Sequence, residues 1–136
     1  MDIRTVSADF AVAPQIAPSD MAAIKALGFT ALICNRPDGE EAGQPPVAEL
    51  QSAADAAGLV FHHIPVAGGA FSDDAIAAFR TARQGADGPV LAFCRTGTRS
   101  ITLDTLANPD GLSVEERLHR AEAAGYDLTP WRDALA

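Results

Sequence analysis

The stretch Pro89-Val90-Leu91-Ala92-Phe93-Cys94-Arg95-Thr96-Gly97-Thr98-Arg99-Ser100 decides the fold. Its first half is a short apolar run ending at a cysteine, which reads as a strand buried on both faces. Its second half is a polar loop with a central glycine, and a helix predicted over roughly 101–106 follows. Two similar apolar runs precede it. Phe29 to Cys34 stops at the turn Asn35-Arg36-Pro37-Asp38-Gly39, and Leu59 to Ile64 stops at Pro65. Helical periodicity lies between the runs: Met21, Ile24 and Leu27; then Val47, Leu50, Ala54 and Ala57; then Ile76, Phe79 and Ala82 behind an N-cap at Ser72. Beyond the loop, Ser113 and Glu116 spell a capping box, and Leu128, Trp131 and Leu135 suggest a last amphipathic turn or two.

Strands alternating with helices predict an α/β fold, a three-layer sandwich with a mainly parallel central sheet. Parallel strands buried on both faces should read as apolar runs, as these do. Ligands of such sheets bind at the carboxyl ends of the strands. That places the 35–46, 65–72 and 94–100 loops around one expected crevice.

The chain has 136 residues, a formal charge of −8 and two cysteines. This length suits one domain over 1–136. The apolar content, 48%, excludes intrinsic disorder. No apolar run is long enough to span a membrane, and the start, Met1-Asp2-Ile3-Arg4, lacks a secretory pattern. The acidic balance argues against a nucleic-acid partner. A cytoplasmic protein without a metal or cofactor is the resulting expectation.

The chemistry centres on Cys94. Amides of a glycine-containing loop at a helix N-terminus make an anion site. A free thiol ionises near ~8.5, and helix N-termini and neighbouring cations lower that value. Cys94 is therefore the candidate nucleophile, and Arg99 the planar fork that grips an oxyanion. Arg95, Thr96, Gly97, Thr98 and Ser100 are the candidate anion-binding residues, with Ser100 able to hydrogen-bond a departing thiolate. The plain alternative is a buried strand-terminal cysteine beside a solvated, Arg-rich turn. Cys34 also ends a strand and could resolve an oxidised Cys94, although a small buried hydrophobe is the simpler reading. Arg36, Asp38 and Glu40 could line the crevice or only brace their loop. His62 and His63 are adjacent on a strand and face opposite sides, which makes a poor metal site.

Several segments together resemble a known family: Asn35-Arg36-Pro37-Asp38-Gly39-Glu40, His63-Ile64-Pro65-Val66, Phe93 to Ser100, and Ala123-Ala124-Gly125-Tyr126-Asp127. They are similar to the phosphatase-like domain of beta-lactamase-hydrolase-like proteins. The resemblance implies the fold of the Cys-dependent (dual-specificity) phosphatases. It also implies an association with sulfide oxidation, a rhodanese-like sulfurtransferase role for some members, and a persulfide dioxygenase as a partner.

Two departures from true phosphatases bear on the activity. Four residues separate Cys94 from Arg99, where those phosphatases have five, and the shorter loop suggests a smaller cradle. The segment Val66-Ala67-Gly68-Gly69-Ala70 lacks the Asp that serves them as general acid. Poor leaving groups need such an acid, whereas sulfite or a thiolate needs less help. The leading expectation is thus a sulfurtransferase with a Cys94 persulfide, fed by a small anionic sulfur donor and discharged by a thiol acceptor. The alternatives are a phosphatase acting through a Cys94 phosphocysteine and a non-enzymatic thiol redox or sulfide sensor.

Overall fold

The central strand β5 (Val90–Phe93) lies between two parallel neighbours. In a computed structural model that describes every residue from Met1 to Ala136, β5 pairs with β2 (Phe10–Ala13) on one side and β3 (Ala31–Cys34) on the other. β4 (Val60–His63) adds to β3 in parallel, and β1 (Arg4–Ser7) adds to β2 antiparallel. The sheet order is β1-β2-β5-β3-β4.

Side chains alternate strictly across this sheet. Phe10, Val12, Ala31, Ile33, Val90 and Ala92 face α3 (Asp73–Gln84), α4 (Thr98–Ala107) and α5 (Val114–Ala123). Ala11, Ala13, Leu32, Cys34, Leu91 and Phe93 face α1 (Met21–Ala26) and α2 (Val47–Ala56). The predicted three-layer α/β sandwich is the observed architecture. A short α6 (Arg132–Leu135) closes the chain.

Local signals in the sequence set the helix starts. The Ser72 hydroxyl accepts from the Ala75 amide at 3.1 Å. Ser113 and Glu116 form the reciprocal capping box at α5. Behind β2 and β5, the Phe10 and Phe79 rings meet edge to face at 5.9 Å. The nearly buried Asp104 receives Arg83 at 3.5 Å and Arg120 at 3.3 Å, which ties α3, α4 and α5 together. Burial pushes the Asp104 carboxyl up to about 6 against the pull of those two guanidinium groups.

Three expectations need correction. The sequence predicts no strand before residue 29, whereas β1 and β2 form the first hairpin. β2 has only four residues, and pairing with β5, rather than periodicity, makes it a strand. β4 was expected to be buried on both faces, but it is the sheet edge and its Val60 is 57% exposed. Finally, α4 begins at Thr98 rather than near Ile101, which puts Arg99 and Ser100 in its first turn.

Candidate active site

Cys94 follows the last residue of β5 and is fully buried. The chain then turns directly into α4, which needs Gly97. This residue is the N-cap and sits at φ +90°, a conformation that costs a side-chain-bearing residue dearly. The turn aims the Gly97 amide at Cys94, and it donates to Sγ at 3.1 Å. A Cβ on Gly97 would meet the Tyr126 hydroxyl at 2.3 Å. That hydroxyl donates to the Thr96 carbonyl at 3.0 Å and so holds the outer wall of the loop. Thr96 and Thr98 join through their hydroxyls at 3.1 Å. Ser100 Oγ is buried in the first turn of α4 and has no protein partner.

Arg99 is held through its two terminal nitrogens. Its Nη1 donates to Glu40 Oε2 at 2.7 Å and to the Val66 carbonyl at 2.8 Å, while Nη2 donates to Glu40 Oε1 at 2.8 Å. A guanidinium has five donor hydrogens, so Nε and one Nη2 hydrogen remain for a ligand. Those two lie on a single edge of the plane, which suits two oxygens of one anion. Glu40 first, and the Cys94 sulfur after it, raise the Arg99 pKa, so the guanidinium stands beside the sulfur as well as the carboxylate.

Glu40 is the hinge of this arrangement. Arg36 Nε donates to its Oε1 at 2.8 Å from the opposite side. The hydrogen bonds from Arg99, and then from Arg36, bring the Glu40 carboxyl down to about 2. Arg36 is 1% exposed; its Nη1 donates to Gln15 Oε1 at 3.0 Å and its Nη2 lies 3.0 Å from Glu41 Oε1. His63 Nε2 shares a 3.0 Å hydrogen bond with the Arg36 carbonyl, which fixes the root of the loop.

A cavity of about 570 Å³ opens above these groups, lined by Arg36, Glu40, Glu41, Gly68, Arg95, Thr96 and Arg99. Its walls come from all three loops at the carboxyl ends of β3, β4 and β5. No hydrophobic side chain lines it. A larger groove of about 690 Å³ lies between β4 and α3, away from these residues, and holds no part of the Cys94 loop.

The candidate residues therefore separate. Cys94, Arg95, Thr96, Gly97, Thr98, Arg99 and Ser100 form one loop and helix start, and Arg36 reaches the same cavity. Arg36 is committed to positioning Glu40, while Arg95 is 65% exposed, with only Glu41 near it at 3.9 Å. Asp38 is not in the cavity; its Oδ1 accepts from the Val47 amide at 2.8 Å and secures the start of α2. Cys34 points into the α1/α2 core, its thiol 3.5 Å from the Arg36 carbonyl. Burial pushes that thiol up to about 11. Both cysteines are free. Sequence reasoning missed Glu41 and the Tyr126 strut. The acidic pair Glu40-Glu41 next to Arg36 was the available signal for the first, and the segment Ala123 to Asp127, which carries part of the family resemblance, was the signal for the second.

Residues 2–110 match the model of the phosphatase-like domain of beta-lactamase hydrolase-like proteins. The chain belongs to this family. The phosphatase-like domain is 38% identical over 125 residues to the beta-lactamase hydrolase-like protein of Agrobacterium fabrum, covering 92% of this chain and 28% of that protein. It thus spans little more than a quarter of the length of that relative. A crystal structure from Neisseria meningitidis, described as a candidate phosphatase, is 37% identical, with a TM-score of 0.85 over 99% of this chain and 96% of that one. Pseudomonas aeruginosa TpbA, solved as a Cys-to-Ser variant with pTyr, shares the fold at 15% identity. Its TM-score is 0.67, over 97% of this chain and 79% of that one.

These likenesses overturn the sulfurtransferase expectation. The family is described as phosphatase-like, and the Neisseria structure, at 37% identity, is described as a candidate phosphatase. The physical reason for the error is the inference from loop length. One residue fewer between Cys94 and Arg99 does not make a small cradle, because the 35–46 loop and Gly68 build most of the cavity wall. The supposed lack of carboxyl groups was also local: Glu40 and Glu41 arrive from a different loop.

Proposed function

We propose that the chain is a Cys-dependent phosphatase, a hydrolase that cleaves a phosphomonoester through a Cys94 phosphocysteine. The observation that carries this reading is the unfilled edge of Arg99, locked in place by Glu40 next to the sulfur. Two oxygens of a phosphoryl group fit that edge, and the Gly97 amide together with the start of α4 adds positive potential below them.

In this mechanism Cys94 Sγ attacks phosphorus from behind its loop and the ester oxygen leaves on the opposite side, toward the mouth. Arg99 follows the equatorial oxygens as they flatten in the transition state. Ser100, whose buried hydroxyl has no other partner, donates to the sulfur when water later displaces it. Because the cavity has no apolar wall, a phenyl ring has nothing to pack against, which favours a small polar phosphoester. A cytoplasmic setting goes with this reading; no helix is long and apolar enough to cross a membrane.

The test is hydrolysis of para-nitrophenyl phosphate by the wild type and by Cys94→Ser and Arg99→Lys. We expect release of phosphate by the wild type and none above background by Cys94→Ser. Arg99→Lys, which keeps charge but loses the fork, should lower kcat/KM by at least about 100-fold. Equal rates for wild type and Cys94→Ser would defeat the reading.

A further inference from the structure

An in-line displacement at phosphorus puts the leaving oxygen on the side opposite the nucleophile. Cys94 is fully buried behind the loop whose Arg95, Thr96 and Arg99 line the cavity, so for a phosphoryl group held in that cavity the leaving oxygen faces the open mouth. A group that protonates it must stand there. The adjoining 65–72 loop contributes only Gly68 to the wall and carries no titratable side chain. Asp73 and Asp74 belong to the first turn of α3 and line no part of the cavity. His63 is turned toward the Arg36 carbonyl.

Two carboxyl groups remain, and their surroundings differ. Both oxygens of Glu40 are occupied: Oε1 accepts from Arg36 and Arg99, and Oε2 accepts from Arg99. Removing it from this work would release Arg99. Glu41 is half exposed, and only one of its two carboxyl oxygens is engaged at close range. Its Oε1 stands 3.0 Å from Arg36 Nη2, while its Oε2, on the cavity lining, is 3.9 Å from Arg95 Nε, beyond hydrogen-bond reach.

We propose that Glu41 is the proton carrier of the reaction, taking the part for which the 65–72 loop has no residue. This rests on the phosphocysteine reading above. In the first step the Sγ–P bond forms, the P–O ester bond breaks, and the Glu41 proton passes to the leaving oxygen to give the free alcohol. In the second step water attacks phosphorus and the P–S bond breaks. The proton of that water goes to the Glu41 carboxylate, which restores the thiolate and the acid and releases inorganic phosphate. The account assigns adjacent glutamates opposite duties: Glu40 holds an arginine and never exchanges a proton, whereas Glu41 exchanges one in each half-reaction.

The test compares kcat/KM, which reads the first step, for para-nitrophenyl phosphate and for an alkyl phosphate such as glycerol phosphate. Nitrophenoxide leaves without help, whereas an alkoxide needs a proton. Glu41→Gln should lower kcat/KM for the alkyl ester by at least about 100-fold and for the nitrophenyl ester by less than about tenfold. Glu40→Gln, which disturbs Arg99 instead, should lower both by the same factor. If Glu41→Gln leaves both substrates unchanged, or lowers both equally, the assignment of Glu41 is overturned while the nucleophile stands. If the wild type hydrolyses neither ester, or Cys94→Ser matches it, the phosphocysteine reading falls and Glu41 falls with it.

Discussion

Replacing Glu40 with glutamine removes one charge from between two arginines without changing shape, and its consequences follow from the geometry. In the folded chain the carboxyl is brought from its ordinary 4.5 down to about 2, first by Arg99 and then by Arg36. At about 1.4 kcal/mol per tenfold change in proton affinity, that displacement corresponds to about 3 kcal/mol. Solvent reaches 26% of the side chain and screens the pair, so a stabilisation of about 1–2 kcal/mol is the better figure. A carboxyl that is more acidic when folded stabilises fully above its unfolded value. The contribution declines as pH falls below 4.5 and is gone near pH 2. Urea denaturation of wild type and Glu40→Gln should therefore differ by about 1–2 kcal/mol at neutral pH and converge in acid. Activity should fall further than stability, by about 100-fold in kcat/KM, because Arg99 loses the group that orients it. A gap that persists unchanged to pH 2, or a variant as active as the wild type, would refute the idea that Glu40 positions Arg99 by charge.

Gly97→Ala places a side chain at φ +90° and against the Tyr126 hydroxyl, and should cost about 2–4 kcal/mol in chemical denaturation together with most of the activity. Cys34, buried and with its thiol pushed up to about 11, should escape iodoacetamide at neutral pH while the protein is folded, as peptide mass mapping would show. Ser113→Ala removes the capping box of α5 and should lower stability by about 1 kcal/mol without altering kcat/KM, since the site lies elsewhere.

The parts of this molecule that sequence reasoning could read are those in which local chemistry agrees with tertiary demand. The run Pro89 to Phe93 is apolar because β5 is buried on both faces, and Cys94 marks the carboxyl end where such sheets bind ligands. The Ser72 and Ser113 caps are local hydrogen bonds and were visible for the same reason. β1 was not, because Arg4–Ser7 is largely polar and its pairing with β2 supplies the order. β4 was misjudged because an apolar run does not tell a central strand from an edge.

In the candidate site, the residues from 94 to 100 are legible in the sequence as one loop because they are contiguous. The Glu40–Arg99 pair could not be assigned, because its partners are 59 residues apart in the chain and only the sheet brings their loops together. The same distance concealed the role of Glu41. The count between Cys94 and Arg99 then misdirected the choice of reaction, since a loop's length describes its own closure and not the walls that other loops provide.

The central claim is that the Cys94 sulfur carries the phosphoryl group. Wild-type protein should be mixed with para-nitrophenyl phosphate, quenched within the first turnovers, and its peptides analysed by mass. The account predicts a phosphoryl adduct on the peptide containing Cys94, absent in Cys94→Ser and persisting longer in Glu41→Gln. Phosphate release at the wild-type rate with no adduct on that peptide, or an adduct on Cys34, would contradict it.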